Sequence, residues 1–292
     1  MPELPEAETL RRSLEPALLG RTVERVTVRR RDVIVAPGDP AGGFSRQRAD
    51  TKPVRFPREL LLAHGRIESL TRHGKQLAIT DHRGHAVIVH LGMTGSVTCA
   101  ASPKHPPHTH VTWQLDDGST LRFADARRFG LLRLAPDGPA EHWARLGPDA
   151  LTIRAAALHG QLTDTLRPIK AAMLDQHVLA GVGNIYADEA LHAAAIHPAR
   201  IAASLHCDEA RALARAVRRV LSAAISQGGS TIRDYRDGSG RPGSFQSRHR
   251  VYGRAGLPCL ACGSALERCL LAQRTTVFCP NCQPSPRTAA PA

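Results

Sequence analysis

The chain has 292 residues, enough for two domains with separate cores, and its 39 Lys and Arg against 26 Asp and Glu give a formal charge of +13. A balance this basic points to a polyanionic partner, most often nucleic acid, although an Arg-rich composition throughout gives the same excess without one. No apolar run approaches the ~20 residues of a membrane span and no secretory signal pattern opens the chain, so a cytoplasmic protein without a membrane partner is expected.

The first six residues read Met1-Pro2-Glu3-Leu4-Pro5-Glu6. Removal of Met1 would turn Pro2 into an N-terminal secondary amine. Such amines titrate near ~8 and are nucleophilic at neutral pH. An amine of this kind attacks carbon at the aldehyde oxidation level and forms an iminium. Glu3 beside it would move protons in that reaction. The plainer alternative is a common Met-Pro start with acids opening a helix.

Pro5 suits a first helical turn, and Ala7, Leu10, Leu14 and Leu18 recur at helical spacing up to a stop at Gly20. From Thr22 the texture turns to strand, with Val26, Val28 and Val33 to Val35. Residues 36 to 57 are rich in Gly, Pro and Arg and read as an irregular loop. Further strands are expected at 76–80, 86–91, 110–115, 120–124 and 130–134. Asp116-Asp117-Gly118 makes a hairpin turn between two of them. Short, regularly spaced strands of this kind predict an antiparallel sandwich.

Around Gly147-Pro148 the composition switches. Residues 155 to 225 are Ala- and Leu-rich, with Leu213, Val217, Val220, Leu221 and Ile225 in one apolar stripe. Gly228-Gly229 ends this helical half. Thr231 to Phe245 is polar and Gly-rich and reads as a mobile loop. The last residues, 284 to 292, form a Pro/Ala tail expected to be disordered.

Two motifs carry chemistry. Cys259-x2-Cys262 and Cys279-x2-Cys282 are two knuckles, and four thiolates without an open position predict one structural zinc. Cys99, Cys207 and Cys269 are left as ordinary thiols. Gly181-Val182-Gly183-Asn184 precedes a helix, where backbone N–H groups approach a phosphate. Lys170 and Asn184 would complete that site, but a Gly-rich helix corner also occurs in proteins that bind nothing.

The chain resembles the formamidopyrimidine-DNA glycosylase family of bifunctional bacterial base-excision repair enzymes. The resemblance lies in Pro2 to Thr9, His90-Leu91-Gly92-Met93-Thr94-Gly95, Asp125-Ala126-Arg127-Arg128-Phe129-Gly130, Gly181 to Ala187, Gly228 to Thr231, Val251-Tyr252-Gly253-Arg254 and the four-cysteine finger. It implies an α+β multidomain fold: a catalytic β-sandwich with an N-terminal helix over 2–147, then a helix-two-turn-helix domain over 148–245. The latter would include a lesion-recognition loop at 231–245, and a β-hairpin zinc finger would follow over 246–283. It implies Pro2 as nucleophile on C1′ of the damaged nucleotide and Glu3 as proton donor and acceptor. Lys75 matches the lysine assisting β-elimination, and Arg274 the finger arginine linked to δ-elimination. His108, Lys170 and Asn184 match DNA-backbone contacts. Met93, Arg127 and Phe129 match the wedge that fills the gap left by an everted base.

The implied partner is duplex DNA carrying oxidised bases or abasic sites, engaged by a monomer in the bacterial nucleoid. Gln76 stands where the family often has an aromatic residue, and the lysines common before Lys170 are absent. Two rivals remain: an endonuclease VIII-type enzyme for oxidised pyrimidines, and a non-catalytic DNA-binding relative. Leu4 and the complete wedge favour the purine enzyme over the first. Intact Pro2, Glu3 and Lys75 speak against the second.

Overall fold

The computed structural model describes residues 2–37, 39, 55–102 and 106–285. Met1, nearly all of the expected 36–57 loop and most of the expected 284–292 tail lie outside the described residues. The chain divides into two compact units, one of residues 1–145 with 227–244, the other of 146–226 with 245–292.

The first unit opens with helix α1, Leu4–Leu18. Glu3 and Glu6 form a reciprocal capping box at its start, and Pro5 occupies the first turn where no donor is needed. Pro16 is accommodated inside the helix near its end. Leu10, Leu14 and Leu18 are fully enclosed, which sets the buried face of α1 at a spacing of one turn.

Nine strands follow among the described residues: β1 Val23–Val28, β2 Ile34–Val35, β3 Ile67–His73, β4 Gln76–Asp81, β5 Ala86–His90, β6 Gly95–Ala100, β7 Thr109–Leu115, β8 Thr120–Asp125 and β9 Leu131–Ala135. They form a four-stranded sheet, β1-β7-β8-β6, and a five-stranded sheet, β2-β9-β5-β4-β3. Their pairings are antiparallel except the short β2–β9 contact, which is parallel. One core takes Val26, Val111 and Phe123 from the first sheet, Leu77, Val87 and Leu132 from the second, and the leucines of α1. Burying each such side chain contributes about 1.5–3 kcal/mol, so α1 is fixed to the sandwich by packing and not by helix propensity. The indole N–H of Trp113 donates to the Leu61 carbonyl at 2.8 Å, satisfying the one polar atom that this ring brings inside.

The expected strands are present within a residue or two. The strands β3 and β6 go beyond the expectation. Only two of the seven β3 residues are buried, and β6 is built from small and polar residues with only Val97 buried, so neither shows strand-like hydrophobicity. A short helix, α2 at Ala140–Trp143, closes this part of the chain.

The second unit holds helices α3 Ala155–Thr163, α4 Ile169–Leu174, α5 Asn184–Ala193 and α6 Cys207–Ser226, then the hairpin β10 Glu267–Leu271 and β11 Arg274–Phe278. The expected stripe of α6 is buried at Leu213, Val217, Leu221 and Ile225.

Residues 227–244, which the expected domain bounds placed with the helical half, are grouped with the first compact unit. Hydrogen bonds explain the grouping. Gly238 N–H donates to Ser13 Oγ of α1 at 2.8 Å, and the Gly238 carbonyl accepts the Cys99 N–H of β6 at 3.2 Å. The segment expected to be mobile is therefore held at its base and its middle.

Candidate functional site

In the first unit, Pro2 is half-buried immediately before α1, and Glu3 is 3% exposed. The capping box fixes both. Glu3 N–H donates to Glu6 Oε2 at 2.7 Å, while Glu6 Oε1 accepts the Ser230 N–H at 2.7 Å. One buried carboxylate thus joins the residue beside the candidate amine to the segment expected to read the base. Gly229 sits at φ +81°, and a Cβ there would lie 2.8 Å from Glu6 Oε1. Only glycine permits this approach. The Tyr235 hydroxyl also donates to the Glu6 carbonyl at 3.0 Å, a second link between α1 and the same segment. Burial, then the charges of Glu6 and Asp237, push the Tyr235 phenol well above its ordinary range, so it stays a neutral donor.

Lys75 is half-buried at the turn between β3 and β4. Arg72 ties that turn to α1, donating to Glu8 Oε2 at 3.1 Å and to the Gly74 carbonyl at 2.9 Å. Burial alone would raise the Glu8 carboxyl, but hydrogen bonds from Arg11, Arg12 and Arg72 outweigh it and hold it at about 2. Glu8 is therefore a permanent anion, and it fixes the spacing between the Lys75 turn and α1. His90, at the end of β5, is electrostatically coupled to Lys75. Burial first, then the Lys75 charge, brings its pKa down to about 4, so the ring is neutral near pH 7.

Of the residues expected to form the wedge, Arg127 and Phe129 come together. Met93 is 42% exposed, Arg127 is exposed, and the Arg127 guanidinium lies 4.8 Å from the Phe129 ring centre. Asp125, which is 1% exposed, clamps the chain next to them. Its carboxylate accepts Thr94 Oγ1–H, the Arg127 N–H at 3.2 Å and the Gly130 N–H at 2.7 Å. Gly92 completes the fit, since a Cβ there would lie 2.4 Å from the Phe129 backbone. His108 is exposed beside this region, at φ +61°, and its carbonyl accepts the Asp125 N–H.

In the second unit, Lys170 is not where a phosphate contact would put it. Its side chain has no exposed area. Its ammonium lies 2.7 Å from Asp188 Oδ1 and donates to Thr276 Oγ1 at 2.8 Å and the Thr275 carbonyl at 3.3 Å. The same Thr275 carbonyl accepts Asn184 Nδ2–H at 3.0 Å. Both residues grip the hairpin strand that begins at Arg274, whose own side chain is exposed. Ala272 and Gln273, both at positive φ, form the two-residue turn before it.

The four finger cysteines present their sulfurs within 4.8 Å of one another. The pairs Cys259–Cys282 and Cys262–Cys279 are 3.9 and 3.4 Å apart. A tetrahedron of ~2.3 Å Zn–S bonds has edges of roughly 3.8 Å, so the donor set fits zinc. In each knuckle a backbone N–H, of Ala261 or Cys282, donates to the first sulfur at 3.4 Å.

Three family models match in order: the formamidopyrimidine-DNA glycosylase N-terminal domain over residues 1–132, the H2TH domain of the same enzymes over 146–236, and the zinc finger found in FPG and IleRS over 256–284. The chain belongs to the formamidopyrimidine-DNA glycosylase family. A formamidopyrimidine-DNA glycosylase from Thermomicrobium roseum is 43% identical, over 97% of this chain and 99% of its own length. The crystal structure of the MutM (FPG) protein from Thermus thermophilus superposes with a TM-score of 0.81 at 41% identity, covering 98% of this chain and 100% of that one. A Lactococcus lactis FPG mutant in complex with Fapy-dG-containing DNA gives a TM-score of 0.81 at 30% identity, over 97% and 100%. As a formamidopyrimidine-DNA glycosylase, the chain carries one structural zinc on Cys259, Cys262, Cys279 and Cys282.

Several residues that hold the candidate residues in place within each unit do not stand out in the sequence. The Glu3-x-x-Glu6 spacing is a capping signal that could have marked Glu6. Asp188 and Glu189 carry no comparable local signal, because their partners are backbone and side-chain groups distant in sequence.

Proposed function

We propose that this enzyme excises oxidised purines, 8-oxoguanine and formamidopyrimidines, from duplex DNA and then cleaves the strand at the abasic site. Structures of relatives hold DNA containing Fapy-dG, carbocyclic 8-oxo-G or an abasic site, which supports this substrate class. With Met1 removed, the Pro2 nitrogen attacks C1′, the C1′–N bond to the base breaks, and ring opening leaves an iminium. Glu3 delivers and accepts protons at the sugar. Lys75 assists loss of the 3′ phosphate by β-elimination, and Arg274 assists the δ-elimination that follows.

The observation that carries the reading is Glu6. One buried carboxylate holds both the residue next to the nucleophile and the segment proposed to inspect the base. Chemistry at C1′ and recognition of the base are thereby joined. The flipped nucleotide costs a few kcal/mol of stacking, and Met93, Arg127 and Phe129 occupy the vacated stack. His108 and Asn184 bind the DNA backbone. Lys170 acts through the hairpin that it grips. The enzyme works as a monomer in the cytoplasm, on the nucleoid. No helix among the described residues is long and apolar enough to cross a membrane.

The test is borohydride trapping on duplexes carrying 8-oxoguanine, thymine glycol or an abasic site. Trapping through Pro2 on the first and third is expected. Trapping that persists when Met1 is retained would assign the nucleophile to a lysine, and preference for thymine glycol would move the enzyme to the pyrimidine class.

A further inference from the structure

Cys259 is 3% exposed, whereas Cys262 of the same knuckle is exposed. A side chain from outside the finger reaches the Cys259 sulfur. His192, near the end of α5 and 8% exposed, places Nε2 3.5 Å from Cys259 Sγ. The other ring nitrogen, Nδ1, is buried and has no hydrogen-bond partner among the described residues. Among those residues the sulfur is thus the only hydrogen-bonding neighbour found for this imidazole. A metal-bound thiolate has lone pairs and no proton, so the proton of the contact must sit on Nε2.

We infer that His192 donates an N–H···S hydrogen bond to the zinc-bound thiolate of Cys259 and so acts as a positioning residue for the metal. The inference rests on the zinc site described above and adds a residue from outside the finger to it. Groups around a metal that hold its ligands by hydrogen bonds typically change affinity 10–100-fold when removed. This one has a second consequence. Helix α5 already holds the finger by protein contacts alone. Asp188 accepts the Val277 N–H, Glu189 accepts the N–H groups of Arg250, Val251 and Tyr252, and the Ile196 carbonyl just past the helix accepts Gln283 Nε2–H. His192 makes the metal itself part of that attachment. Loss of zinc therefore removes one of the attachments between the finger and α5, which carries Asn184 at its other end.

The contact is tested on the full chain. His192→Phe keeps a flat ring and removes the donor; His192→Gln keeps a donor. Zinc release to a chromogenic chelator should be about 10-fold faster or more in His192→Phe, and near wild type in His192→Gln. After cobalt substitution, the sulfur-to-metal charge-transfer band should shift in His192→Phe only. Wild-type release and an unchanged band in His192→Phe would overturn the inference, as would equal acceleration in both variants, which would indicate packing alone. A third measurement needs no variant. In cadmium-113-substituted wild-type protein, the His192 Nε2 proton should show scalar coupling to the metal through the sulfur, and a proton found on Nδ1 with none on Nε2 refutes the contact.

Discussion

Lys170→Met separates two physical accounts of the same lysine. If Lys170 neutralised a phosphate, the substitution would leave stability unchanged and reduce the salt slope of DNA binding by about 0.9. The structure gives a different result. Lys170 and Asp188 form an ion pair with neither side chain exposed, and methionine leaves Asp188 with only the Val277 N–H as donor among the described residues. Removing one partner of a buried pair costs about 3–5 kcal/mol. Spread over a unit of this size, that corresponds to a fall in Tm on the order of 10–20 °C. Thr276 Oγ1 and the Thr275 carbonyl also lose a donor, so the hairpin bearing Arg274 should loosen. Burial already raises Asp188 to about 6 despite the opposing Lys170 charge. Without that charge the carboxyl takes a proton more readily, and a neutral Asp188 costs less to bury. The deficit should therefore be largest well above pH 7, shrink as pH falls toward 6, and level off below that, where the carboxyl is protonated in both proteins. Lys170→Met with Asp188→Asn should recover about half of the loss, since asparagine still accepts the Val277 N–H. Calorimetry of the four proteins closes the cycle, with salt-dependent DNA binding measured alongside. A single mutant with wild-type Tm and a reduced salt slope would refute the buried-pair account.

Other predictions follow from the same geometry. Glu6→Gln leaves one of two buried N–H donors facing an amide NH2, which should cost about 1–3 kcal/mol and slow 8-oxoguanine excision; an unchanged Tm by calorimetry would show that the cap and the 230 segment are held otherwise. Asp125→Ala frees the backbone at Arg127 and Gly130 and should slow excision from duplex much more than cleavage of a preformed abasic site; equal losses in single-turnover assays would indicate a general defect. Replacing 233–243 with a Gly-Ser linker should abolish 8-oxoguanine excision but spare abasic-site cleavage, and normal excision by the shortened protein would place base recognition elsewhere. His249 is brought down by burial to about 4, so the unfolded chain binds a proton that the folded one refuses. Its contribution to stability is complete above pH 6.5 and is lost at up to ~1.4 kcal/mol per unit as pH falls toward 4. His249→Gln should flatten the Tm profile across that window, and an unaltered slope would contradict it.

Sequence pattern revealed whatever depended on neighbours along the chain. The α1 leucines at turn spacing, the Asp116-Asp117-Gly118 turn and the two cysteine knuckles each report a local periodicity or a fixed ligand spacing. What escaped depended on partners far apart. Residues 227–244 follow a helix directly, so continuity suggested one domain, whereas Ser13 and Cys99 bring the segment back to the first unit. Lys170 illustrates the same limit for a site residue. A lysine beside a Gly-rich corner reads as a phosphate ligand until Asp188, eighteen positions later, is seen to enclose it. Asp125 shows the converse, since its place in a motif was visible but its three donors were not.

The return of residues 227–244 also sets an order of events during synthesis. Domains commonly fold as they leave the ribosome, the N-terminal one first. Here the N-terminal unit stays incomplete until about 100 further residues have been made, because Glu6 and Ser13 have no Ser230 or Gly238 backbone to receive before then. At ~5–20 residues per second that interval lasts roughly 5–20 s. Throughout it, a nascent chain exposes a carboxylate that the finished enzyme buries, and helix α1, which follows the proposed nucleophile Pro2, lacks its final anchor. Chains interrupted before residue 230 should thus be inactive and easily proteolysed, so a truncated product would be cleared before it could nick DNA.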